Sequence, residues 1–78
     1  MDAMTAKALS EIEEGTRVTV VAIRGGRGIR SRLTAMGLLP GAKITVLRNG
    51  GSGPFVVSIK NSRMALGRGV ADKIMVTE

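Results

Sequence analysis

The sequence predicts a small, mainly β domain, a five-stranded barrel with one short α-helix inserted, and three observations point there. Short β-branched runs recur along the chain, and glycine, proline and asparagine punctuate them. One stretch alone switches from the two-residue period of a strand to the 3.6-residue period of a helix. The chain has 78 residues, enough for one core, and a domain of this size buries only about 60–65% of its unfolded surface. Cysteine is absent. Aliphatic packing must therefore hold the fold, without disulfides or thiolate-bound zinc.

Residues 1–8 lack periodicity and read as a flexible leader; residues 9–78 form the single domain. Leu9 and Ile12 frame Ser10, Glu11, Glu13 and Glu14 in a short turn that ends at Gly15 and lies over the barrel as a lid. The run from Arg17 to Arg24 is β-branched, too short and valine-rich for a helix, and is expected as a strand half buried on both faces. Gly25 and Gly26 end it.

From Arg27 to Leu38 the period changes. Ile29, Leu33 and Met36 fall at i, i+4 and i+7, one stripe of a helix about two turns long. Gly37 stands where a helix takes a left-handed C′ residue, with Leu38 folding back as its hydrophobic contact. Leu39-Pro40-Gly41-Ala42 then suits a type II turn, because proline presets φ at the second position and glycine accepts the positive φ of the third.

The remaining chain reads as strands. They run from Lys43 to Arg48 with Ile44 and Val46 inward, from Phe55 to Lys60 with Phe55, Val57 and Ile59 inward, and from Arg63 to Leu66 with Met64 and Leu66 inward. Asn49 to Gly53 is expected as a flexible hairpin loop and Asn61-Ser62 as a tight turn. Gly67 to Lys73 has room for one helical turn before a last strand at Ile74, Met75 and Val76. Five strands with one inserted helix suit an SH3-like barrel, since closing the sheet removes exposed edges.

The formal charge of +6 suits an anionic partner: nucleic acid, lipid headgroup or an acidic protein face. The sequence contains no run of about 18 apolar residues, and Met1 to Glu14 has acids where a signal peptide has its apolar core. A cytoplasmic protein is expected.

Histidine, cysteine and tyrosine are all absent, which removes the usual general bases and the best nucleophiles, so no catalytic residues are assigned and an enzyme is not expected. The same shortage leaves only carboxylates, carbonyls and methionines for a metal, so no metal ligand or cofactor is assigned. Met36, Met64 and Met75 read as core fillers. Gly25-Gly26-Arg27-Gly28 lacks the Lys-Ser or Lys-Thr pair of a phosphate loop, which favours a strand-to-helix turn over an anion site at the helix amides. Arg24, Arg27, Arg30 and Arg32 form a stretch without an acid, either a recognition surface or a solvated basic face. Phe55 is the one aromatic residue. Polyproline recognition and base stacking both need several such rings, and no nucleic acid is expected as a partner.

The string Arg30-Ser-Arg-Leu-Thr-Ala-Met-Gly-Leu-Leu-Pro-Gly41 resembles the R-x-R-L-x-x-M-G-L-x-P-G signature of FeoA-type proteins. The likeness extends to Gly15 with Val18–Ile23, to Gly53-Pro54 with Val57, and to Ala65-Leu66-Gly67-Arg68, Ala71 and Ile74–Val76, about residues 9–77 in all. It implies an SH3-like barrel that acts as a cytosolic accessory protein of bacterial ferrous-iron uptake. The implied partner is a FeoB-type membrane iron transporter with a GTPase domain, through which the chain is peripheral to the membrane. Family descriptions also associate the domain with transition-metal ions. The fold resembles the C-terminal domain of DtxR-type repressors too, although this chain has no room for their DNA-binding domain. Within the signature, Leu33, Met36, Gly37, Leu38, Pro40 and Gly41 have structural duties in burial or backbone geometry. Arg30, Arg32 and Leu39 have none, and they are the candidate partner-binding residues. A fainter resemblance links Gly15-Thr-Arg-Val-Thr-Val and Ile23-Arg-Gly-Gly-Arg-Gly to the KOW element of ribosomal RNA-binding barrels, a pattern with no place for the helix from Arg30 to Gly41.

Overall fold

The computed structural model describes residues 6–50 and 53–78. Most of the expected leader, residues 1–5, and Gly51 and Ser52 of the expected hairpin loop lie outside them. The elements are strands β1 (Lys7–Ala8), β2 (Arg17–Ile23), β3 (Lys43–Arg48), β4 (Phe55–Ile59), β5 (Ser62–Leu66) and β6 (Ile74–Thr77), with a 3₁₀ turn at Leu9–Glu11 after β1, helix α1 (Arg27–Ala35) after β2 and helix α2 (Arg68–Ala71) after β5. All pairings are antiparallel, in the order β1-β6-β2-β3-β4-β5.

This is the mainly β architecture expected, with two differences. A sixth strand exists because Lys7 and Ala8 pair with Val76 and Met75, and two such residues are too few to show periodicity in sequence. The sheet is also left open, since no ladder joins β5 to β1 among the described residues. It nonetheless wraps tightly. The radius of gyration is 11.4 Å, against about 11.5 Å for a compact domain of this length.

Alternation along the strands buries Val18, Val20, Ile44, Val46, Phe55, Val57 and Ile59 on the inner face, joined by Leu33, Leu38, Ile74 and Val76. β2 is buried on one face, not half buried on both as expected. Alternation already points Val21 outward, and a bulge between Val20 and Ala22 leaves Ala22 exposed as well and turns Ile23 inward.

The end of α1 follows the expected capping. Gly37 has φ +92°; the Leu38 N–H donates to the Leu33 carbonyl at 2.8 Å and the Gly37 N–H to that of Thr34 at 3.0 Å, the paired bonds of a Schellman motif. Leu38 is fully buried. The turn follows too, with the Ala42 N–H donating to the Leu39 carbonyl at 2.9 Å and Gly41 at φ +96°. It is stitched to β2, because the Gly41 N–H donates to the Val20 carbonyl and the Val20 N–H to the Ala42 carbonyl, both at 2.8 Å. The β4–β5 turn is shifted one residue from expectation. Ile59 pairs with Ser62, and Lys60 and Asn61 both have positive φ, +47° and +69°, the signature of a type I′ hairpin.

The lid is held by apolar and polar contacts together. Leu9 and Ile12 are buried, and Asn49 at the end of β3 donates through Nδ2 to the carbonyls of Ser10 at 3.0 Å and Ile12 at 2.7 Å. The Asn49 N–H donates to Glu14 Oε2 at 2.9 Å, and its Oδ1 accepts from Arg68 at 2.9 Å. The Ser10 hydroxyl donates to Asp72. Arg68 also lies over the Phe55 ring, 5.9 Å from its centre.

Candidate functional site

α1 begins without a side-chain cap: Gly26 precedes it, and the Arg30 N–H donates to the Gly26 carbonyl at 3.2 Å. Its first turn contains no acid and starts with Arg27 and Gly28. Cations there oppose the helix dipole, and glycine is a poor helix former, so this composition works against the helix. Local stability is no reason for Arg27 or Arg30, whereas Arg32, in the last turn, sits where a cation favours the dipole. Arg30 and Arg32 are exposed.

The two arginines stand on opposite sides of α1. Arg30 lines a groove of about 290 Å³ together with Val21, Ala22, Ile23, Thr34 and Pro40. Arg32 lines a second groove, about 210 Å³, whose wall includes Ile29, Met36, Leu66 and Val70. Leu39 lies on neither. It is 41% exposed and lines a third and larger groove, about 580 Å³, with Arg17, Lys43, Ile59 and Lys60 among its neighbours. The structure therefore brings Arg30, Arg32 and Leu39 onto one continuous segment but not into one cavity. Pro40 joins the first groove to the third.

Among the residues given structural duties, Leu33 and Leu38 are buried and Gly37 and Gly41 adopt the required positive φ. Met36 is a correction: it is 40% exposed. Met36 is the C-cap residue, still in helical conformation, and lines one groove with Ile29 and Leu33, so it follows their stripe but at an end left open to solvent. Met64 and Met75 are half-buried rather than central to the core.

Sequence reasoning missed Val21, which faces outward on β2 and lines the first groove with Pro40, and the trio Arg17, Lys43 and Lys60, which converges from separate elements. Among the described residues no three carboxylates, histidines or cysteines come together to hold a metal ion, and carboxylates are the only such donors the chain has. This donor set does not fit a transition-metal site.

Comparison with known proteins identifies the family and the fold. Residues 7–78 match the family model of the FeoA domain. A provisionally named Fe(2+) transport protein A of Methanocaldococcus jannaschii is 44% identical over 70 residues, 90% of this chain and 84% of the relative. The crystal structure of an iron uptake regulatory protein, FeoA, superposes with a TM-score of 0.85 at 40% identity, covering 95% of this chain and 97% of that one. The solution structure of FeoA from Chlorobium tepidum superposes at 0.80 with 34% identity, covering 88% of this chain and 67% of that one. A manganese-dependent transcriptional repressor shares the fold alone, with a TM-score of 0.84 at 23% identity over 94% of this chain and 41% of its own. With a family model matched across nearly its whole length and relatives of this similarity, the chain belongs to the FeoA family of ferrous-iron transport proteins.

Proposed function

We propose that the chain is a non-enzymatic accessory protein of ferrous-iron uptake that binds and modulates a FeoB-type membrane transporter from the cytoplasmic side. The observation that carries this reading is α1, which presents the exposed Arg30 and Arg32 on its two flanks and sets Arg30 in its first turn at a local cost to the helix, in a chain of the FeoA family. Guanidinium groups hold carboxylates in a bidentate fork, and an exposed leucine fills a pocket on a partner. Arg30, Arg32 and Leu39 are the contact residues of this reading. No helix among the described residues is long and apolar enough to cross a membrane, so the reading assigns membrane association to the partner.

Affinity capture from detergent-solubilised membranes that contain the transporter, read by mass spectrometry, tests the proposal. The transporter is expected to be enriched on immobilised wild-type chain and depleted on the Leu39→Asp variant. Equal recovery on the wild type, on the variant and on an unrelated basic protein would contradict it.

A further inference from the structure

The groove at Leu39 has a composition that folding alone does not explain. Arg17 enters it from the start of β2, Lys43 from the start of β3 and Lys60 from the β4–β5 turn, and no Asp or Glu lines it. Three cations drawn to one concavity repel one another. Lys60 is the most telling. It occupies the left-handed region at φ +47°, at the first central position of a type I′ turn, where glycine, asparagine or aspartate is usual. A side chain kept at a position that disfavours one marks a local rule broken for another purpose.

Between these cations the surface is apolar. Leu39, Pro40 and Ile59 contribute to it, and Leu39 is 41% exposed. From this charge complementarity we infer that the groove receives an acidic segment of a partner protein that carries an apolar side chain, its carboxylates on Arg17, Lys43 and Lys60 and its apolar group on Leu39. The inference rests on the partner-binding reading in sharing Leu39 with it, and it adds the chemistry of what binds. A nucleic-acid backbone would match the cations and leave Leu39 uncovered. The chain's one aromatic ring, Phe55, is buried and offers no stacking platform.

The test uses the full chain and a fluorescein-labelled peptide of alternating Glu and Leu, read by fluorescence anisotropy. A Glu-only peptide, a Gln-Leu peptide and oligothymidylate serve as comparisons. Saturable binding of the Glu-Leu peptide is expected, stronger than that of any comparison. Lys43→Glu with Lys60→Glu is expected to weaken it at least ~10-fold, as is Leu39→Asp. Lys60→Gly suits the turn at least as well as lysine does, so it is expected to weaken binding without lowering the melting temperature. Absence of Glu-Leu binding overturns the inference. So does Glu-only binding of equal strength that ignores Leu39→Asp, which would mean a nonspecific anion field, or tighter binding of oligothymidylate, which would mean a nucleic-acid surface. If the peptide binds as expected and the transporter is not captured, the groove stands and the transporter reading falls. If capture succeeds and no peptide binds, the reverse holds.

Discussion

Asn49 shows how a single side chain closes one end of this fold. Its amide donates to the carbonyls of Ser10 and Ile12 while its oxygen accepts from Arg68, so one residue ties the lid, the end of β3 and α2 together. Replacing it with alanine removes three hydrogen bonds at a partly buried position, and Asn49→Ala is expected to destabilise the domain by roughly 2–3 kcal/mol. Chemical denaturation checks this through the midpoint and its slope. A loss below ~0.5 kcal/mol would show that burial of Leu9 and Ile12 holds the lid alone. Nothing in the sequence around Asn49 announced the role, because Ser10 and Ile12 are 39 and 37 residues away and only the strand pairing brings them close.

At the scale of elements, α1 was largely legible and its last residue was not. The apolar period, the C′ glycine and the Pro-Gly turn agreed on where the helix runs and stops, and the observed bonds match. The period put Met36 on the same face as Ile29 and Leu33, where it lies, but that end of the stripe borders an open groove and is not buried. Leu33→Ala is therefore expected to cost ~2–4 kcal/mol, and Met36→Ala less than ~1 kcal/mol, because only the first truncation opens a cavity in a packed core. Equal shifts in denaturation midpoint would mean that Met36 packs as the periodicity suggested. β2 shows the other limit of pattern reading. An unbroken run of β-branched residues hides a bulge, since register is set by cross-strand partners, here Val76 and Met75.

At the scale of the whole molecule, an open six-stranded sheet brings residues distant in sequence to one surface. Arg30 and Arg32 were visible as an acid-free stretch, and the structure adds that α1 holds them on opposite flanks, in separate grooves. The grouping of Arg17, Lys43 and Lys60 with Leu39 was not visible, because it depends on the register of β2 with β3 and on the turn from β4 to β5. Net charge alone cannot tell a docking face from a general field, and a charge reversal at the site must be set against one elsewhere. Lys7 and Arg63 suit that comparison, being exposed on β1 and β5 and absent from all three grooves.

The most direct test of the account is the affinity of the purified chain for a purified FeoB-type transporter in detergent, measured by titration at fixed salt for three proteins of comparable melting temperature. The three are the wild type, Arg30→Glu with Arg32→Glu, and Lys7→Glu with Arg63→Glu. The account predicts that the first pair weakens binding at least ~10-fold, about 1.4 kcal/mol, and that the second pair changes it far less. Equal weakening by both pairs, or none by either, would contradict the assignment of the partner surface to α1.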